Sequence, residues 1–431
     1  MFKTKYLIGP ILLVAIFLGL WIWGSFGTRL DLSDELPMAA EQSPPQTPFM
    51  LGIANPWLKW NTENGTRAGY SLAAVEDGVF RYSIRHGVRD LETGAPIEAD
   101  TRFRIASMTK PITATAAMIL IERGEMTVSD PVSDYIPAFA DITVWDPETN
   151  APIPANTALT VEHLLTFTGG IGHSSETTEH PDLDRLWSET LSPLTSRTPL
   201  ETRVNAMATL PLYNHPGEEW HYASSLTVLA RVIEVVTGKP FEAVLKDEIF
   251  DPLGMSSTSF MSPPEERGDI ATLYTHNADG DLVIRPDAAF DEKGRVSGDG
   301  RLVSTLPDYL RFALMLSNGG QFEGVRLLSE ESIAEMITPR VDRGVLENFG
   351  IQGLGWGYGL AIVLDADASA MPDKTGDFFW AGVNGTHFWI SPSDGTVFVY
   401  MTQYRAPPAE TGRPRGSAIP YMIHGIVNQN M

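Results

Sequence analysis

The stretch Phe103-Arg104-Ile105-Ala106-Ser107-Met108-Thr109-Lys110-Pro111 decides how the rest of this sequence is read. It opens a run over 107–123 whose spacing predicts an amphipathic helix. Pro111 is tolerable there only because it falls in the first turns, and Gly124 suits the C-terminal stop. Residues three apart share a helical face, so the Lys110 ammonium can reach the Ser107 hydroxyl. The helix N-terminus adds partial positive charge where an oxyanion would develop. By itself the Ser-x-x-Lys pair is weak, since roughly one match arises by chance in a chain this long. In isolation, a capping serine followed by a surface lysine is the better account of it. What adds weight is that Lys110 is the only lysine with a serine three residues before it.

Upstream, Glu76-Asp77-Gly78 separates two alternating runs over 70–75 and 79–84, a hairpin pattern. A helix is expected over 225–237, with Leu226, Leu229, Val232, Ile233 and Val236 on one face and Gly238 ending it. Pro392-Ser393-Asp394-Gly395 divides a second aromatic and β-branched hairpin over 386–390 and 396–401, and a further helix is expected over 417–427. Strands near both ends of the chain and helices between them predict an α+β fold. An antiparallel sheet flanked by helices would be built from about 51–115 and 296–431, with a mostly helical lobe inserted over about 116–295.

Just before the 225–237 helix stands Tyr222-Ala223-Ser224, the only Tyr-x-Ser or Tyr-x-Asn in the sequence. A buried aromatic with a capping serine is the structural alternative. A tyrosine polarised by a lysine is a competent base when positive charge lies close.

The 431 residues carry a net charge of −23 and no cysteine. That acidity argues against a nucleic-acid partner, which needs a basic face, and against docking on anionic lipid through a polybasic patch. The lack of cysteine excludes disulfides, thiolate nucleophiles and thiolate metal sites. Lys3 and Lys5 precede an apolar run over 6–26, long enough to span a bilayer, and with lysines on its N-terminal side the remainder is expected to be exported. Residues 1–27 are therefore expected to be a membrane anchor or a signal segment, and the Pro-rich residues 28–50 a linker. The chain would be held at the membrane facing the periplasm or cell exterior, or secreted if the segment is cleaved.

With these residues in view, the chain resembles the family VIII carboxylesterases, relatives of class C β-lactamases and penicillin-binding DD-peptidases. The resemblance rests on the Ser107 stretch, on Gly87-Val88-Arg89-Asp90, and on the run from Val161 to Gly170 leading into a Thr-x-Gly loop. Pro252-Leu253-Gly254-Met255 and Gly300-Arg301-Leu302-Val303-Ser304-Thr305 fit as well, so the likeness spans roughly residues 66–403. It implies a β-lactamase/transpeptidase-like fold with Ser107 as nucleophile and Lys110 and Tyr222 as its activating bases, the division of labour between the two left open. No metal or organic cofactor is implied.

A third motif is ambiguous. Lys374-Thr375-Gly376 spells the strand motif of β-lactamases, whereas Trp380-Ala381-Gly382 is similar to the Trp-x-Gly of the esterases. Trp380 leads into the 386–390 strand at the esterase spacing, and Lys374 lies in a loop-like composition, so Trp380, Ala381 and Gly382 are taken as substrate-binding. In that register the backbone N–H groups of Ser107 and Val383 form the oxyanion hole. Trp380 offers an apolar wall where a cation would anchor a substrate carboxylate, which favours neutral esters over β-lactam-like substrates. Ser224, also taken as substrate-binding, stands where many relatives carry Asn, and its shorter side chain supplies a single donor. The alternatives are a β-lactamase or DD-peptidase on the same fold, and a penicillin-binding sensor that deacylates slowly or not at all. Gly-x-Ser-x-Gly does not occur, which disfavours an α/β-hydrolase. His173 and His180 with Glu176 and Glu179 match no familiar metal spacing, and His221, His387, Trp356 and Trp389 suit packing.

Overall fold

Asp77 and Gly78 both adopt positive φ, 49° and 71°, the conformation a two-residue turn needs if its flanking strands are to keep their right-handed twist. They join β1 (Gly69–Glu76) to β2 (Val79–Gly87), each slightly longer than the alternating pattern predicts. In the computed structural model the described residues are 56, 58–173, 180–194, 198–260, 268–286, 296–342, 344–345, 352–369 and 374–407. The apolar run over 6–26, the linker over 28–50 and the helix expected over 417–427 lie outside them. Among the described residues, no helix is long and apolar enough to cross a membrane.

Five later strands complete the main sheet: β3 (Leu354–Trp356), β4 (Ala361–Val363), β5 (Phe378–Gly382), β6 (Thr386–Ser391) and β7 (Thr396–Thr402). Their order is β3-β4-β5-β6-β7-β1-β2, antiparallel throughout. Strand β1 lies beside β7, with Tyr70 opposite Thr402 and Glu76 opposite Thr396, so the beginning and end of the described chain share one sheet. Strands β6 and β7 are buried at every position, which is why their sequences read as nearly continuous apolar runs.

The helices between β2 and β3 include α1 (Thr109–Glu122), α2 (Val161–Leu165), α3 (Pro181–Leu191), α4 (Leu200–Met207), α5 (Ser225–Thr237), α6 (Phe241–Leu245) and α7 (Leu306–Ser317). Helix α7 packs on β1, β6 and β7, while α5 packs against α1, α2, α4 and α6. The chain is thus an α+β fold with an antiparallel sheet and a helical layer, as its strand and helix patterns predict. Helix α5 has the expected bounds because its signals are local: an apolar stripe, then Gly238 at φ 66°, a left-handed stop that glycine adopts without a Cβ penalty.

One local expectation is corrected. The segment over 107–123 is not a single amphipathic helix. A 3-10 turn, Ala106–Met108, precedes α1, and α1 is buried from Thr109 through Leu120. Its threonines read as a polar face but are interior: Thr113 Oγ1 donates to the Gly298 carbonyl at 2.8 Å.

Candidate active site

Ser107 lies in the 3-10 turn where the sheet meets the helical layer, and it is half-buried. The turn is tied down on three sides. Ile105 N–H donates to the Leu302 carbonyl at 3.1 Å, Thr386 Oγ1 donates to the Ile105 carbonyl at 3.2 Å, and Tyr309 from α7 donates to the Met108 carbonyl at 2.9 Å. Ala106 is held at φ 47°, a left-handed conformation that costs a residue bearing Cβ roughly 1 kcal/mol or more. The surrounding bonds fix that strained residue immediately before the serine.

Lys110, on the first turn of α1, is 3% exposed. Its Nζ lies 3.4 Å from Ser107 Oγ and donates to the main-chain oxygen of Asp299 at 2.7 Å. It also sits 4.6 Å from the Tyr222 ring centroid. Tyr222 precedes α5, and its ring is packed by Phe167 at 5.1 Å, Trp220 at 5.6 Å and Trp380 at 5.3 Å. The structure therefore brings Ser107, Lys110 and Tyr222 together although 115 residues separate the first and last. Ser224 is the residue before α5, yet its hydroxyl makes no cap bond to the helix.

Trp380 is buried on β5, edge-on to Trp356 at 4.6 Å, and its indole N–H donates to the Tyr222 hydroxyl oxygen at 3.2 Å. The sequence predicts an apolar wall at this position and gives no sign of the hydrogen bond to Tyr222. The indole N–H and the Lys110 ammonium both put positive potential beside the phenol. Gly382 ends β5, where an added Cβ would lie 2.3 Å from the Ile105 carbonyl oxygen and 2.3 Å from Thr386 Oγ1. A side chain at this position would therefore crowd the serine turn itself. Ala381 is half-buried opposite His387, and Val383, at the turn after β5, is 55% exposed.

Lys374 is elsewhere. It precedes β5 and pairs with Asp394 in the β6–β7 turn, at the opposite end of β5 from Gly382.

The remaining candidates fall around this centre. His221 is stacked on Tyr213 at 4.3 Å. Burial pushes its pKa down to about 4, with His180 and His173 adding to the depression and Asp184 opposing it. His387 is buried in β6, 5.9 Å from the Phe379 ring. Trp356 and Trp389 are fully buried core residues. Glu176 and Glu179 lie outside the described residues. A cavity of about 640 Å³ bordered by Glu162, His163, Thr168, Trp220 and Arg340 adjoins the aromatic wall, with none of Ser107, Lys110 and Tyr222 in its lining.

Two contributors were missed by reading the sequence. Phe167, at φ 58°, supplies the ring against Tyr222. Asp299 contacts both Lys110 and the start of α5. Its only sequence signal is the glycine on each side.

Comparison with known proteins places this geometry in a family. Residues 58–418 match the Beta-lactamase family, to which the chain belongs. An uncharacterized protein of Mycobacterium tuberculosis is 32% identical over 342 residues, covering 74% of this chain and 81% of that protein. Esterase EstB of Burkholderia gladioli is 30% identical over 350 residues, covering 78% of this chain and 85% of the esterase. Among solved structures, EstCE1, described as a hydrolase with promiscuous acyltransferase activity, superposes with a TM-score of 0.75 at 23% identity, covering 88% of this chain and 98% of its own. The chain is accordingly a member of a serine-hydrolase family of β-lactamase fold whose named relatives include esterases, acyltransferases and penicillin-binding proteins.

Proposed function

We propose that the protein cleaves carboxylic esters through an acyl-enzyme on Ser107. Lys110 and Tyr222 together withdraw the Ser107 proton, and the serine oxygen attacks the ester carbonyl. The tetrahedral oxyanion is received by the backbone N–H groups of Ser107 and Val383. Tyr222 returns the proton to the departing alcohol, and water then releases the acid. The observation that carries the reading is the convergence of the Lys110 ammonium on Ser107 Oγ at 3.4 Å and on the Tyr222 ring at 4.6 Å. Preference for neutral esters is supported by Trp380, whose ring and N–H occupy the Tyr222 side of the site, while Lys374 is engaged with Asp394 away from it. A tryptophan cannot anchor a substrate carboxylate as a cation does.

Assay of p-nitrophenyl esters beside a chromogenic cephalosporin tests the assignment. Ester turnover with poor cephalosporin hydrolysis is expected. Efficient cephalosporin turnover would move the protein to the β-lactamase or DD-peptidase reading, and stoichiometric acylation without turnover would make it a sensor. We also propose export through the apolar run over 6–26, on the strength of its length and the lysines before it. Fractionation with N-terminal sequencing tests this, and an intact chain in the soluble cytoplasmic fraction would refute it.

A further inference from the structure

We infer that Asp299 is a positioning residue that sets Lys110 against Ser107 and Tyr222, its carboxylate being the counter-charge that attracts the ammonium without capturing it. The inference rests on the proposed roles of Lys110 and Tyr222. Three observations carry it. Lys110 Nζ donates to the Asp299 main-chain oxygen at 2.7 Å, while the nearer carboxylate oxygen, Oδ1, stands 3.8 Å from the same nitrogen. The carboxylate is occupied by α5: Oδ1 accepts from Leu226 N–H at 3.2 Å, and Oδ2 accepts from Thr227 N–H at 2.9 Å and from the Thr227 hydroxyl. Finally, the segment is clamped. An added Cβ at Gly298 would be 1.9 Å from the Leu226 carbonyl oxygen, so only glycine permits this approach, and Ser297 Oγ lies 2.8 Å from Thr227 Oγ1.

The physical consequence is a division of the carboxylate's loyalties. A buried ammonium needs compensating charge, and a carboxylate is favoured at a helix N-terminus. Three donors from α5 hold the carboxylate back, so it cannot close on Lys110 in a tight ion pair and turn the ammonium away from Ser107. Because Tyr222 precedes α5, the same side chain fixes the position of both groups that act on the serine.

The test uses Asp299→Asn, which keeps size and removes charge, and Asp299→Ser, which keeps a short oxygen acceptor for α5. Thr227→Val is the graded comparison: it removes one of the three donors to the carboxylate and the contact with Ser297, but leaves the charge. Each is measured for kcat and KM on a p-nitrophenyl ester and for the rate of Ser107 labelling by a fluorophosphonate, with melting temperature alongside. Because misplacement by an ångström can cost up to about 100-fold, both Asp299 variants should lose roughly 10- to 100-fold in kcat and labelling rate, with KM within about threefold. Thr227→Val, which leaves the charge and two of the three α5 donors in place, should lose less kcat than either Asp299 variant, whatever its melting temperature. Asp299 variants that keep wild-type kcat, or lose no more than Thr227→Val, overturn the inference. So does failure of both to fold, which would make Asp299 a helix cap alone. Lys110→Ala run in parallel separates the levels. Wild-type labelling in Lys110→Ala would overturn the underlying roles and the inference together, whereas slow labelling there with wild-type Asp299→Asn sinks only the inference.

Discussion

Two lysines, Lys110 and Lys374, each sit in a tripeptide or tetrapeptide that spells a catalytic motif, and the fold treats them oppositely. Lys110 is 3% exposed, hydrogen-bonded to a main-chain carbonyl and aimed at a serine and a tyrosine. Lys374 lies half-exposed at the entry to β5 and pairs with Asp394, roughly 15 Å away from Gly382 at the strand's rise per residue. A lysine's chemistry is set by what surrounds its ammonium: a buried one with an incomplete set of partners is available to a hydroxyl, and an exposed one in an ion pair is not.

The contrast is broken most directly by removing Lys110. Lys110→Ala should reduce kcat/KM on a neutral ester about 10³-fold or more, as expected for one member of a group acting as a unit. A loss under tenfold would put Lys110 on a level with a surface lysine. Next in size is Gly382→Val, whose Cβ would be driven into the Ile105 carbonyl oxygen. Displacing the end of β5 from the serine turn should cost about 10²–10³ in kcat, the scale of one lost oxyanion donor, with a lower melting temperature.

The buried end should also be the acid-sensitive one. His221 titrates at about 4 in the fold, against about 6.5 when unfolded. Between those values the unfolded chain binds a proton that the folded chain does not. Its contribution is complete above about pH 6.5 and declines as pH falls toward 4, by at most about 3 kcal/mol. Urea unfolding at pH 7 and pH 4.5 should show that decline in wild type and less of it in His221→Phe. Trp380→Phe keeps the ring against Trp356 but removes the N–H to Tyr222, and should lower kcat about fivefold, near 1 kcal/mol. At the small end, Lys374→Ala should change ester turnover less than twofold and stability by under about 0.5 kcal/mol, the range of an exposed pair.

What the sequence disclosed divides along the same line. The Asp77-Gly78 turn, helix α5 with Gly238, and the β6–β7 hairpin depend on residues close in the chain, and their patterns are legible. The grouping of Ser107, Lys110 and Tyr222 was legible as a resemblance, because motif order survives even when spacing does not. The strained Ala106 was hidden, since its φ is imposed by Leu302, Thr386 and Tyr309, all far along the chain. Helix α1 was misread because Thr109 and Thr113 look polar yet are buried and hydrogen-bonded inside the fold. Asp299 gave no sign beyond its flanking glycines, because its importance comes from contacts with Lys110 and Thr227 across the sequence.

Every step of the proposed reaction begins with Ser107 as the nucleophile. Reaction of the purified chain with a fluorophosphonate, followed by intact-mass measurement and peptide mapping, tests it most directly. One adduct per chain on the peptide containing Ser107, absent from Ser107→Ala together with ester turnover, is the predicted result. An adduct on another serine, or full turnover by Ser107→Ala, would contradict it.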